Sequence, residues 1–192
     1  MRTPLEDHVV TISRTNSTIS YPCNFMLIAS MNPCPCGYHG AEGKECTCSP
    51  MAIDKYISKV SGPMLDRIDI HIEVPQVKYE KLDSNNKSES SEEIKKRVNQ
   101  AREIQYKRYK KYNIFSNSEL TTPLIDTYCK LNSESKIIMK KAFDKLGLSV
   151  RAYNKILKVA RTIADLESNE NIETRHVAEA IQYRTLDRKY WK

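Results

Sequence analysis

The sequence predicts an α/β segment followed by an all-helical one, and three observations carry that reading. Phe25-Met26-Leu27-Ile28-Ala29-Ser30-Met31 is a short, continuous apolar run that stops at Asn32-Pro33, the pattern of a parallel strand buried on both faces. Ile68, Ile70, Ile72 and Val74 alternate with Asp69, His71 and Glu73, the pattern of a strand with one buried face. From Ser90 onward, apolar residues recur every three to four positions in successive stretches, as in a bundle of roughly five helices.

Composition bounds the answer. The 192 residues are 40% hydrophobic and 29% charged, ordinary for a soluble globular chain. Five glycines and eight prolines argue against a fibrous or low-complexity chain. No apolar run reaches the length of a membrane span, and Met1-Arg2-Thr3-Pro4 does not open a secretory segment. The expected compartment is cytoplasmic, with no membrane partner. A net charge of +7 favours polyanionic partners such as nucleotide, nucleic acid or a phosphorylated surface.

Taken in order, Pro4-Leu5-Glu6 reads as the tail of a helix, so the chain is expected to be a fragment of something longer. Residues 9–22 read as a β-hairpin turning at Asn16-Ser17. Between Pro50 and Val60, Ile53, Tyr56, Ile57 and Val60 share one helical face, and Ser61-Gly62-Pro63 breaks it. Met64-Leu65 then packs a short turn that leaves Asp66-Arg67 exposed. Residues 1–79 form the first domain. Residues 80–91, rich in Asp, Ser, Asn, Lys and Glu, form a linker, and 92–192 form the helical domain. Ser90 and Glu93 make a capping box at the start of that domain. Further helices span residues 119–130 and 135–146, the second ending at Gly147. Ser149 caps a strongly amphipathic helix, and Thr174 caps the last one.

Four of the six cysteines fall within fifteen residues: Cys34-Pro35-Cys36, then Cys46-Thr47-Cys48. Four thiolates could close a tetrahedral zinc site, although one residue between paired cysteines is tighter than the usual spacing. His39 or His71 could replace one thiolate, and buried free thiols or redox pairs are the alternatives. Cys23 and Cys129 read as core residues. Gly37 to Gly43-Lys44 is not a phosphate loop. Five residues intervene where four are needed, and Glu45 stands where a hydroxyl must hold Mg²⁺. Asn32, at the carboxyl end of the apolar run, could orient a water or touch a terminal phosphate; the alternative is a plain strand stop. Arg67 could reach a phosphate in trans, against an ion pair with Asp66 or Asp69. Arg151 lies in the first turn of a helix, where a cation opposes the dipole, which hints at a role; Arg161 reads as structural. Lys95 and Lys96 belong to a basic helix that could grip a nucleic-acid backbone or simply face solvent. Tyr106, Tyr109 and Tyr112 are interleaved in it and could pack or stack.

Pro4-Leu5-Glu6-Asp7, Val10-Thr11-Ile12-Ser13-Arg14, Asn32-Pro33-Cys34-Pro35-Cys36-Gly37, Ser61-Gly62-Pro63-Met64-Leu65-Asp66-Arg67-Ile68-Asp69 and Ala160-Arg161-Thr162-Ile163-Ala164-Asp165-Leu166 occur in that order. Together they resemble the bacterial magnesium-chelatase-like AAA+ ATPases of the YifB/ComM type, over essentially the whole chain. The resemblance implies the C-terminal end of a AAA+ core with a hairpin insert, followed by a helical lid. It implies ATP and Mg²⁺ as cofactors of the complete protein, a hexameric ring as its assembly, and DNA as the partner, through branch migration linked to competence. Asn32 resembles the sensor-1 residue, Arg67 the arginine finger, and Arg151, in Ser149-Val150-Arg151-Ala152, the sensor-2 arginine. The hairpin ending at Arg14 resembles a pore-facing insert that touches DNA. Zinc is not essential to that family's chemistry. The departure is the absence of Walker A and B motifs, so the chain alone is expected not to hydrolyse ATP. The other reading is a stand-alone, zinc-containing, basic nucleic-acid-binding module.

Overall fold

The computed structural model describes residues 2–75, 77 and 88–184, so most of the expected linker at 80–91 lies outside the described residues. Contacts divide the chain into two units, one ending at Ile68 and the other beginning at Asp69.

The first unit holds α1 (Arg2–Asp7), β1 (Val9–Arg14), β2 (Ser17–Pro22), α2 (Pro50–Ile57) and α3 (Gly62–Leu65). The strands pair antiparallel, with Val9 opposite Pro22 and Arg14 opposite Ser17. The two-residue turn is therefore Thr15-Asn16, one residue earlier than expected. Neither turn residue has positive φ, so the glycine-favouring primed turns are not used. Ile12 faces Ile19 and Val10 faces Tyr21, while Thr11 faces Ser20 and Ser13 faces Thr18. The hydroxyl side is tied by a Thr11–Ser20 bond of 3.0 Å and by Thr18 donating to Ser13 at 3.3 Å. Helix α2 starts where Ser49 Oγ accepts from the Ala52 amide, with Pro50 in its first turn.

The expected strands at 25–31 and 68–75 are not formed. The only sheet among the described residues is the β1–β2 pair. Met26 and Ile28 are 84% and 86% exposed, and Ile72 and Val74 are likewise open to solvent. The reason is physical: a strand exists only when a neighbour supplies its ladder, and no described residue of this chain does so. Periodicity reports that these runs are suited to burial, but not what buries them. The first unit accordingly has a thin interior, with Cys34, Ile57 and Leu65 as its buried apolar residues among those described.

The second unit is a helical bundle: α4 (Ser91–Tyr109), α5 (Thr122–Tyr128), α6 (Ser133–Leu146), α7 (Val150–Leu166) and α8 (Thr174–Gln182). Short 3₁₀ turns at Lys110–Tyr112 and Asn117–Glu119 follow α4. The Ser90–Glu93 capping box forms in both directions. Gly147 closes α6 in the left-handed conformation at φ 55°. Ser149 caps α7 by accepting from the Ala152 amide at 3.1 Å. The cap of α8 is Glu173, not Thr174, with His176 Nδ1 accepting from the Glu173 amide at 2.9 Å. Helix α7 packs against α4, α5 and α8. Its buried face, Ala152, Ile156, Leu157, Ala160, Ile163 and Ala164, centres a core shared with Tyr109, Met139, Ile172 and Val177. No helix among the described residues is long and apolar enough to cross a membrane.

Candidate functional site

The four clustered cysteines converge. Their Sγ atoms all lie within 4.8 Å of one another, with Cys34–Cys36 at 3.3 Å, Cys36–Cys46 at 3.5 Å and Cys34–Cys46 at 3.7 Å. All are free thiols. Four sulfurs each about 2.3 Å from a tetrahedral zinc stand about 3.8 Å apart, so the observed set fits a metal-bound cluster far better than a disulfide. Neither His39 nor His71 joins the group among the described residues. Local geometry makes the cluster. The Gly37 amide donates to Cys34 O at 3.1 Å with φ +84°, a conformation that favours glycine. Lys44 spans the loop, its Nζ 4.1 Å above the Tyr38 ring and donating to Tyr38 Oη at 2.9 Å. The Tyr38 amide donates to Cys36 and holds its thiol down at about 5. At Cys46 the Cys48 amide likewise favours the thiolate, but loss of hydration and the neighbouring thiols push the thiol up to about 12. Four ligands in a closed set leave no open position, so such a metal would brace the loop and not perform catalysis.

The residues expected at a nucleotide have separate surroundings. Asn32 stands at the entrance to the cysteine loop, where a Cβ on Gly37 would lie 3.8 Å from its Nδ2. Arg67 follows α3, and its side chain is 12% exposed. Its guanidinium donates to the Glu6 carboxylate and to the Pro63 carbonyl. One partner is thus Glu6, across 61 positions of sequence. Asp69 instead accepts from Lys155 at 2.5 Å. Arg151 lies exposed in the first turn of α7, in the second unit. Arg14 ends β1 at the hairpin tip, and Lys95 and Lys96 are exposed early in α4.

Sequence reasoning missed a buried polar network in the second unit. Asp165 accepts from Arg108 at 2.9 and 2.5 Å, from Arg161 Nε at 3.2 Å and from Asn117 Nδ2 at 2.9 Å. Tyr109 donates to Asn117 Oδ1 at 2.6 Å. Arg161 also donates to the Glu170 and Asn169 carbonyls that lead to α8. Its role is to hold this turn, as its buried position on α7 requires. Asp165 occurs in the quoted motif beside Arg161, but no local spacing links it to Arg108 or Asn117.

The sequence that folds into this hairpin unit, cysteine loop and helical bundle is similar to known proteins. The family model described as magnesium chelatase, subunit ChlI, matches residues 1–82, and that for the ChlI C-terminal region matches residues 88–184. The chain belongs to the magnesium chelatase ChlI family. It is 43% identical to the competence protein ComM of Haemophilus influenzae over 189 residues, which is 98% of this chain and 36% of that protein. It is 40% identical to YifB of Escherichia coli with the same shares covered. It is 30% identical to Rv2897c of Mycobacterium tuberculosis over 184 residues, 96% of this chain and 36% of that one. The chain thus spans about a third of the length of the curated relatives it matches.

Proposed function

We propose that this chain supplies the sensing half of a AAA+ ATP-dependent motor that acts on DNA as a hexameric ring. The observation that carries the reading is the 43% identity to ComM across 98% of the chain. The exposed apolar runs at 25–31 and 68–75 support it, because they are strands in pattern that await a sheet. The phosphate cradle belongs to residues outside this chain, since the sequence contains no Gly-rich phosphate loop.

In this reading, ATP with Mg²⁺ supplies the phosphoryl bond whose hydrolysis drives the motor. The Asn32 carboxamide orients the attacking water. The Arg67 fork leaves Glu6 and neutralises charge on the transferring phosphate of a neighbouring subunit. Arg151 acts from the helical lid, so nucleotide state is transmitted to the second unit. Arg14, Lys95 and Lys96 bind DNA phosphates. Zinc on Cys34, Cys36, Cys46 and Cys48 stiffens the segment between Asn32 and Arg67. The protein works in the cytoplasm.

The test is an ATPase assay on the purified chain, expected to give no turnover above the blank. Turnover abolished by Arg67→Ala would overturn the proposal. The second reading, a self-sufficient zinc-containing nucleic-acid-binding module, is favoured by the thiol cluster. It gains if the isolated chain carries one zinc and binds DNA while Arg67→Ala and Asn32→Ala leave the ATPase of the complete protein unchanged.

A further inference from the structure

Helix α4 keeps one face outside the bundle. Its inner face buries Ala101, Gln105 and Tyr109. On the outer face, Asn99, Arg102, Glu103, Tyr106 and Lys107, together with Phe115, line an open groove of about 510 Å³. Lys95 and Lys96 precede Asn99 by four and three positions and so share this face.

The three interleaved tyrosines have separated. Tyr109 is buried and bonded to Asn117. Tyr112 meets the edge of Tyr128 at 6.1 Å. Tyr106 alone of the three joins Phe115, the rings nearly parallel at 11° with centroids 6.3 Å apart. Both residues of this pair are 49% exposed. The shelf is pre-organised: Glu119 Oε1 accepts from the Phe115 amide at 3.1 Å and from Ser116 Oγ at 2.8 Å, pinning the loop that presents the ring.

The geometry points to a binding site for unpaired DNA bases on this shelf, with Arg102 and Lys107 on the adjoining phosphates and Lys95 and Lys96 continuing the track. An exposed aromatic pair flanked by cations is the combination that single strands use: ring faces take bases and cations take phosphates. In a duplex the base faces are already covered by their neighbours, so only an unpaired base can use the shelf. Glu103 is the acidic residue in the groove; it repels phosphate and accepts from exocyclic amines, so it lies under a base edge and not under the backbone. From Lys95 to Lys107 the helix rises about 18 Å, room for a few nucleotides. A single-stranded RNA presents the same stacked-base and phosphate chemistry; we commit to DNA because the site rests on, and deepens, the DNA reading above.

The experiment measures anisotropy of a fluorescent single-stranded DNA 20-mer titrated with the whole chain across a salt series. Tyr106→Ala with Phe115→Ala is expected to weaken binding about tenfold without changing the salt slope, and Tyr106→Phe to retain it. Arg102→Ala with Lys107→Ala is expected to lower the slope by about 1.4, at about 0.7 per single-strand phosphate contact. Circular dichroism of each variant checks that α4 still folds. Wild type that binds no DNA at low salt overturns the DNA reading and the shelf with it. Wild type that binds while the aromatic double variant binds equally well overturns the shelf alone. Tighter binding to a duplex of the same sequence overturns the assignment to unpaired bases. Tighter binding to the matching RNA strand overturns the assignment to DNA.

Discussion

Asp165 shows how one carboxylate can organise a helical domain. It is fully shielded and receives Arg108, Arg161 and Asn117 at once. Removing one member of a buried charge set leaves the others unpaired, at about 3–5 kcal/mol. Asp165→Ala should therefore lose that much in urea denaturation, and Asp165→Asn less, since the amide keeps an acceptor. Arg161→Lys should also be destabilising, because a point charge cannot serve Asp165 and two loop carbonyls together. Arg67 is held in the other unit: its guanidinium, 12% exposed, donates to the Glu6 carboxylate and to the Pro63 carbonyl, so Glu6→Ala should lower the stability of that unit by leaving a largely buried cation short of an acceptor. For the cysteines, a thiol-reactive dye should count few fast sites in the zinc-loaded chain, and a chelator should release four more. Cys129 should stay slow in both states, since burial pushes its thiol up to about 11. Cys34→Ser should abolish stoichiometric zinc.

The termini of the helices hold much of what local chemistry can specify. At α4, Ser90 accepts from the Glu93 amide, and the Glu93 carboxylate accepts from the Ser90 amide and hydroxyl at 2.8 Å. Those bonds, from the Ser90 amide first, hold the Glu93 carboxyl below its usual range. The sign follows: the cap's contribution is fully present above the ordinary glutamate range and is lost as pH falls through the lowered value. The ellipticity of α4 should fall only in that acidic window, and Ser90→Ala should remove about 1 kcal/mol of helix stability at neutral pH. At the end of α6, Gly147 has φ 55°. Gly147→Ala places a Cβ in the left-handed region, and should cost about 1 kcal/mol, readable as a lower urea midpoint with unchanged slope.

At the scale of the molecule the two units differ in how they are held together. The helical unit has a continuous core of packed side chains around α7. The hairpin unit buries few apolar residues, and a small unit with so little interior needs a staple. The four converging thiols could supply it by holding a metal ion, whose binding free energy would then become folding free energy. Chelation should therefore unfold the first unit selectively. Limited proteolysis after chelator treatment should cut within residues 23–68 and leave residues 91–182 intact; loss of both units together would contradict this.

The candidate site was legible wherever its chemistry is local. Cysteine spacing foretold the thiol cluster, and helix caps, the hairpin and the bundle followed from residue patterns that act over a few positions. What could not be read was which distant group answers each side chain. Arg67 finds Glu6, Asp165 finds Arg108, and Tyr106 rather than Tyr109 meets Phe115; these pairings arise from how α1, α3, α4 and α7 are turned. The apolar runs at 25–31 and 68–75 mark the boundary between the two kinds of information. Their residue pattern predicts burial in a sheet. Only the tertiary structure decided that they stay uncovered, because a strand's hydrogen bonds belong to its neighbours and not to its own sequence.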